Sequence, residues 1–292
     1  MPASNSVITP IEITVSANGY QFSGFEYGNS NGIPVLALHG WLDNAASFHW
    51  VAKSLPEMRF IAIDLAGHGA SQHRPLGMPY QIWDYAVDML AVADSLGLTR
   101  FALLGHSMGA SVAMLMAALA PDRVSQLGLL EGLAPLVYPE ARLPELMAGA
   151  IRKRNKWSQR PVKPFSDPQQ AIAVRMSGRW PVNESMAAAL VDRGLRQTGQ
   201  GWIWSHDPSL VQPSLLRFSQ SQVRAFVQAV KAPGFILLAT DFARKSLVEP
   251  WRSDLVSLQI EQVLGEHHFH MTDTGAALVA ARVRHWLDQK NN

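Results

Sequence analysis

Five consecutive residues, Gly105-His106-Ser107-Met108-Gly109, fit the pattern G-x-S-x-G. In that pattern a serine is raised on a sharp turn between a strand and a helix, so that its hydroxyl can act as a nucleophile. The flanking residues suit such a turn. Phe101–Leu104 is a short apolar run with strand character, and Ser107–Ala120 is rich in Ala and Met, as a buried helix would be. A glycine on each side of the serine relieves crowding at the turn. The helix start also favours negative charge nearby. An ordinary glycine-rich turn is the bland alternative, and the strand and helix on either side argue against it. A serine used this way needs a base, an acid to orient the base, and two N–H donors for a developing oxyanion.

For the base, Gly265-Glu266-His267-His268-Phe269-His270 is the best-placed stretch, between a closing apolar run and a closing helix. Parallel strands deliver their C-terminal loops to one edge of a sheet, so this stretch and the Ser107 turn should meet there. His267 is the choice. His268 and His270 are the alternatives, and packing around the loop is their ordinary role. Two acids remain in chain order. Glu131 directly follows Leu127-Gly128-Leu129-Leu130, where an unpartnered carboxylate would be costly to bury. Asp241 follows the Phe235–Ala239 strand, and could instead cap the turn after it. Glu131 is preferred and Asp241 is kept as the alternative. The oxyanion donors are expected from the backbone of Met108 and Trp41. His39 and His106 should bond loop backbone, and Asp64-Leu-Ala-Gly-His68-Gly reads as a tight structural turn. Asp43 should cap the helix after it.

The elements that must position these groups follow from periodicity. Ile11–Val15 and Tyr20–Tyr27 alternate around Asn18-Gly19 and predict a hairpin. Val35–Leu38, Arg59–Leu65, Phe101–Leu104, Val124–Leu130, Phe235–Ala239 and Ile260–Leu264 are apolar strand candidates. Between them, Ala45–Leu55, Asp84–Leu96, Ser107–Ala120 and Thr274–Asp288 have helical spacing. This alternation predicts an α/β fold, with a mostly parallel eight-stranded sheet covered by helices on both faces. The rhythm stops between Ala134 and Lys231, where helical segments and prolines occur without a convincing strand. The expected organisation is a core of 1–133 and 232–292 with a helical cap over 134–231. The cap carries Trp157, Trp180, Trp202, Trp204 and Phe218, as packing or as pocket lining. Arg152–Lys156 reads as a solvated helix face.

Composition narrows the function classes. With 48% apolar and 16% charged residues, the 292-residue chain can build a sizeable core and is not a disordered or coiled-coil sequence. A net charge of +2 gives no reason to expect nucleic acid or an anionic membrane as partner. The chain has no cysteine, which excludes disulfides and thiolate metal sites. No apolar stretch approaches the roughly 20 residues of a membrane helix. The start, MPASNSVITP, lacks the basic and apolar regions of a secretory signal, so the expected compartment is the cytoplasm. No metal or organic cofactor is expected.

Together, Leu38-His-Gly-Trp-Leu-Asp-Asn44, Asp64–Ser71, Leu104–Gly109, Leu129-Leu-Glu131 and Gly265–Met271 resemble the α/β-hydrolase superfamily, specifically its serine hydrolase-like group. The resemblance implies a cap inserted after the sixth strand and a Ser–acid–His triad, with Ser107 and His267 on its positions. An acid after the sixth strand looks like the arrangement in haloalkane-dehalogenase relatives, which supports Glu131. The loop Ala239-Thr240-Asp241 departs from the family's glycine-then-aspartate pattern. Dehalogenases and epoxide hydrolases of this fold use an Asp nucleophile, and Ser107 speaks against both activities. The expected function is a carboxylesterase acting on uncharged small-to-medium esters. A slow-triad receptor or signalling protein, and a lyase or cofactor-free oxygenase, are the readings from other classes.

Overall fold

The computed structural model describes residues 9–157, 163–240 and 248–288. An eight-stranded sheet forms its centre. The strands are β1 (Ile11–Ala17), β2 (Tyr20–Gly28), β3 (Pro34–Leu38), β4 (Arg59–Ile63), β5 (Phe101–His106), β6 (Val124–Leu130), β9 (Gly234–Ala239) and β10 (Leu258–Val263). Their spatial order is β1-β2-β4-β3-β5-β6-β9-β10. All neighbours pair in parallel except β1 with β2 and β2 with β4. The Asn18-Gly19 turn joins β1 to β2 with both residues at positive φ, as expected of a tight hairpin.

The strands read as apolar because the sheet is covered on both faces. Successive side chains point to opposite sides. Leu36, Leu38, Ile61 and Ile63 lie in one core cluster with side chains of α2 (Ile82–Ser95), α3 (Met108–Leu119) and α7 (Gln220–Ala229). Val35, Ala37, Phe60 and Ala62 lie in the other, with α1 (His49–Lys53) and α8 (Asp273–Asp288). The Ala45–Leu55 segment is a 3-10 turn, Ala45–Phe48, running into α1. Asn44 caps that turn through a bond from the Ala46 N–H. The cap is therefore one residue beyond Asp43, which is buried in other contacts described below.

Between β6 and β9 lie α4 (Leu143–Trp157), α5 (Pro168–Met176), α6 (Glu184–Gly194), a hairpin and α7. The hairpin pairs β7 (Leu195–Thr198) with β8 (Gly201–Trp204), where the periodicity indicated no strand. At four residues each, these strands are too short to show alternation, and Gly199-Gln200-Gly201 at their turn is the signal that was present. Helix α7 packs on α3 through Val223 and Val227 within the sheet's own core cluster. In contrast, α5 and α6 build a separate small core with Met271. Two buried ion pairs tie that unit to the sheet. Arg193 of α6 donates to Asp64 at 2.8 Å, and Arg175 of α5 donates to Asp43. No described helix is long and apolar enough to cross a membrane.

The β6–β9 pairing leaves no space at Gly234, where a Cβ would collide with the carbonyl of Leu127. Gly199 faces open space. Gly234→Ala should cost about 1–3 kcal/mol of stability, as forced overpacking does. Gly199→Ala should be close to neutral, and urea unfolding of the two variants checks the contrast.

Candidate active site

Ser107 sits at the junction of β5 and α3 with φ 53° and ψ −112°. That left-handed φ is unfavourable for a residue with a Cβ, and the surroundings hold it in place. The Ser107 N–H donates to Leu130 O at 2.8 Å. A Cβ at Gly109 would run into the Leu38 carbonyl, and one at Gly105 into Gly109 itself. Both glycines of the motif are therefore there for close backbone approach. Met108 opens α3, so its N–H is among the helix-start donors that lack an intrahelical acceptor.

Glu131 follows β6 and is fully buried. It too has positive φ, 55°. Its Oε1 accepts from the Ala239 N–H at 2.5 Å, and its Oε2 lies 3.2 Å from His267 Nδ1. His267 is held from a second side, because His106 Nε2 bonds the His267 carbonyl at 2.9 Å. A carbonyl only accepts, so His106 carries its proton on Nε2. This bond joins the residue next to Ser107 to the 265–271 loop. Asp241, the other acid considered from sequence, lies outside the described residues.

The remaining histidines have other surroundings. His39 donates from Nδ1 to Gly40 O and accepts from the Leu65 N–H, a neutral tautomer satisfied at both nitrogens. His68 Nδ1 meets Ala66 O within the Asp64–Ser71 turn. The Asp64 carboxylate closes that turn, accepting from the N–H groups of Ala45 and Ala70. His268 Nε2 lies 3.1 Å from Asp43 Oδ2, not beside Glu131. His270 packs on His106 and Phe48, and neither of its ring nitrogens has a hydrogen-bond partner among the described residues.

Sequence reasoning missed the role of Asp43 and the arrival of Arg175. Asp43 accepts from Arg175, contacts His268, and lies 3.8 Å from His106 Nδ1. Burial alone would raise its pKa, but the His268 and Arg175 charges and His106 hold it well below the ordinary carboxylate range. One signal was available: Asp43 and Asn44 are adjacent capping residues, and only one can cap.

Ser107 and Met108 open onto a cavity of about 800 Å³, whose walls include Trp41, Tyr80, Trp83, Trp180 and Phe218. The Trp180 ring also lies 4.9 Å from the His267 ring, tilted by 31°. Trp41 donates from Nε1 to Leu210 O, across to the segment between β6 and β9. Of the other aromatics singled out from sequence, Trp202 and Trp204 form β8, and Trp204 packs edge-on to Phe165. The Trp157 side chain lies outside the described residues. His106, His267 and His268 bring ring nitrogens within 4.8 Å of one another. Each of these rings already has a partner, a backbone carbonyl, Glu131 and Asp43 respectively, which argues against a resident ion.

Burial pushes the pKa values of His39, His68, His106 and His270 below 6.5, and neighbouring histidines push the last three down further. The unfolded chain therefore takes up protons from about pH 6.5 downward while the folded chain does not. These groups leave stability intact above that pH and remove it as pH falls toward the folded values, by about 1.4 kcal/mol per pH unit for each histidine so coupled. The urea midpoint should be clearly lower at pH 5.0 than at pH 7.5. An unchanged midpoint would contradict the buried neutral histidines.

Comparison with known proteins agrees with this architecture. A sequence model of the alpha/beta hydrolase fold matches residues 33–181. A serine hydrolase-like protein of Dictyostelium discoideum is 31% identical over 259 residues, spanning 83% of this chain and 72% of the relative. One from Danio rerio is 28% identical over 271 residues, spanning 88% and 82%. The crystal structure of a hypothetical protein from Pseudomonas aeruginosa PAO1 superimposes with a TM-score of 0.89 at 35% identity, covering 95% of this chain and 99% of that one. The eight-stranded, mostly parallel sheet and these matches place the chain in the α/β-hydrolase superfamily, within its serine hydrolase-like group.

Proposed function

We propose that the protein is a carboxylic ester hydrolase in which Ser107, His267 and Glu131 form the triad. The observation that carries this reading is the contact between His267 Nδ1 and the buried Glu131 carboxylate, with Ser107 on a strained turn at the same sheet edge. With its Nδ1–H donated to Glu131, His267 acts as the base through Nε2. It takes the Ser107 proton as Oγ attacks the ester carbonyl. The oxyanion then accepts from the backbone N–H groups of Trp41 and Met108. His267 returns the proton to the leaving alcohol, and water releases the acyl group by the same path. Every group in this sequence is supplied by the chain, so the reading invokes no metal or cofactor.

The part of the 134–231 segment that precedes α7 serves in this reading as a cap over the site, while α7 belongs with the sheet. The tryptophan and phenylalanine side chains around the cavity suit a substrate with a largely apolar body of small to medium size. The cysteine-free composition suits a reducing cytoplasm, where we place the activity.

Fluorophosphonate labelling tests the nucleophile. Ser107 should be the serine labelled, and Ser107→Ala should lose both labelling and turnover of 4-nitrophenyl esters while unfolding cooperatively. Labelling that persists in this variant rejects the assignment. Glu131→Gln should lower turnover by about 10³–10⁴, the scale reached when the orienting acid of a serine protease is neutralised. Asp241→Asn should stay near wild type. The reverse ranking makes Asp241 the acid.

A further inference from the structure

The cavity wall has a charge pattern that hydrolysis of a neutral ester leaves unused. Two of the residues lining the cavity, Arg179 and Arg217, are cationic, and none is Asp or Glu. Neither arginine forms an ion pair among the described residues, whereas Arg175 and Arg193, from the same stretch of chain, are each matched to a buried carboxylate. Arg217 is half-buried. Its Nη1 donates to the Tyr138 hydroxyl at 3.3 Å, and its guanidinium lies 4.7 Å from the centre of the Tyr138 ring. A guanidinium on a cavity wall with no carboxylate partner favours an anion there, because desolvating the cation without one is costly. Arg179 stands over Trp180 at 4.8 Å, and Trp180 in turn covers His267 at 4.9 Å. One cation is therefore a single indole away from the reacting centre.

We propose that the cavity is an anion-reading pocket, and that the substrate is an ester with an apolar body and a carboxylate, the anionic group held by Arg217 with Arg179 adding to the field. This rests on the ester-hydrolase reading above and narrows its substrate class. The expectation of an uncharged substrate rests on the loops after β3, β5 and β10, which offer few charged partners. The two arginines come instead from the segment between β6 and β9, where no motif fixes what reaches the cavity. A guanidinium meets a carboxylate in a planar fork, and that geometry makes arginine suited to carboxylate recognition. A neutral substrate filling the same space would strip water from the Arg217 guanidinium without supplying an anion, and would lose affinity for that reason.

Two pairs of esters test the proposal and separate the possible positions of the charge. In the first pair the carboxylate is on the acyl side, 4-nitrophenyl hydrogen adipate against 4-nitrophenyl hexanoate. In the second it is on the leaving group, the hexanoate ester of 4-hydroxybenzoate against that of methyl 4-hydroxybenzoate. In one pair the anionic member should have the higher kcat/KM by at least about ten-fold, the scale of one charge-assisted hydrogen bond. Arg217→Met should reduce that ratio by about the same factor, and Arg217→Lys should restore only part of it. A neutral preference in both pairs, or a ratio unmoved by Arg217→Met, overturns the proposal. Binding provides an arm that does not depend on turnover. In calorimetric titrations Ser107→Ala should bind hexanoate more tightly than hexanamide, and the added Arg217→Met change should remove the difference. If no ester is turned over but this difference holds, the hydrolase reading fails and the anion pocket stands. If esters are turned over but the difference is absent, the hydrolase reading stands and the anion pocket fails.

Discussion

A carboxylate sealed from solvent has to be met by donors, and Glu131 constrains the site for that reason. Its two oxygens are met by the Ala239 N–H and by His267. The first contact requires β9 to lie beside β6. The second requires the loop after β10 to fold back across β9 to the end of β6. Glu131 also holds a left-handed backbone, and the next residue, Gly132, lies so close to Ser107 that a Cβ on it would collide with the Ser107 carbonyl. Two non-glycine residues at positive φ thus face each other across adjacent strand ends. Conformations of this kind cost on the order of 1–3 kcal/mol each and persist only where surrounding contacts outweigh them.

Around that pair, buried polarity is settled group by group. His106 bonds the His267 carbonyl, and His39 bonds the backbone of Gly40 and Leu65. Asp64 takes two backbone donors and Arg193. Asp43 takes Arg175 and His268. Burying such charges gains little net stability when each is matched, but breaking one pair leaves an uncompensated ion. The Arg175 and Arg193 pairs therefore act as geometric pins. They fix where α5 and α6 sit over the strand ends, and so where Trp180, in the loop after α5, meets His267. The position of the cavity wall follows from these pins.

Much of the core could be read from the chain because its determinants are local. The strands β3, β5, β6 and β9 are apolar runs bounded by turn residues, and a two-sided sheet leaves them no alternation to blur. G-x-S-x-G marks the turn at Ser107 because the steric demand falls on residues two apart. Glu131 could be singled out because an acid at the end of an apolar run needs a partner, whatever that partner is. The β7–β8 hairpin escaped because four-residue strands carry too little pattern, and Asp43 was misassigned because both it and Asn44 are competent caps.

By itself the sequence determined the parallel sheet, the strained serine turn, the need of Glu131 for a donor and the stretch that had to supply the histidine. Only the tertiary structure decided which histidine of that stretch meets Glu131, since three lie within four residues and backbone folding alone separates His267 from His268 and His270. It also decided that Arg175 reaches Asp43, 132 residues away in the chain, and that His268 reaches the same carboxylate across 225. Arg179 and Arg217 on the cavity wall belong with these. Side-chain pairing at such separations depends on how whole elements pack, and packing leaves no local spacing in the chain from which it could be read.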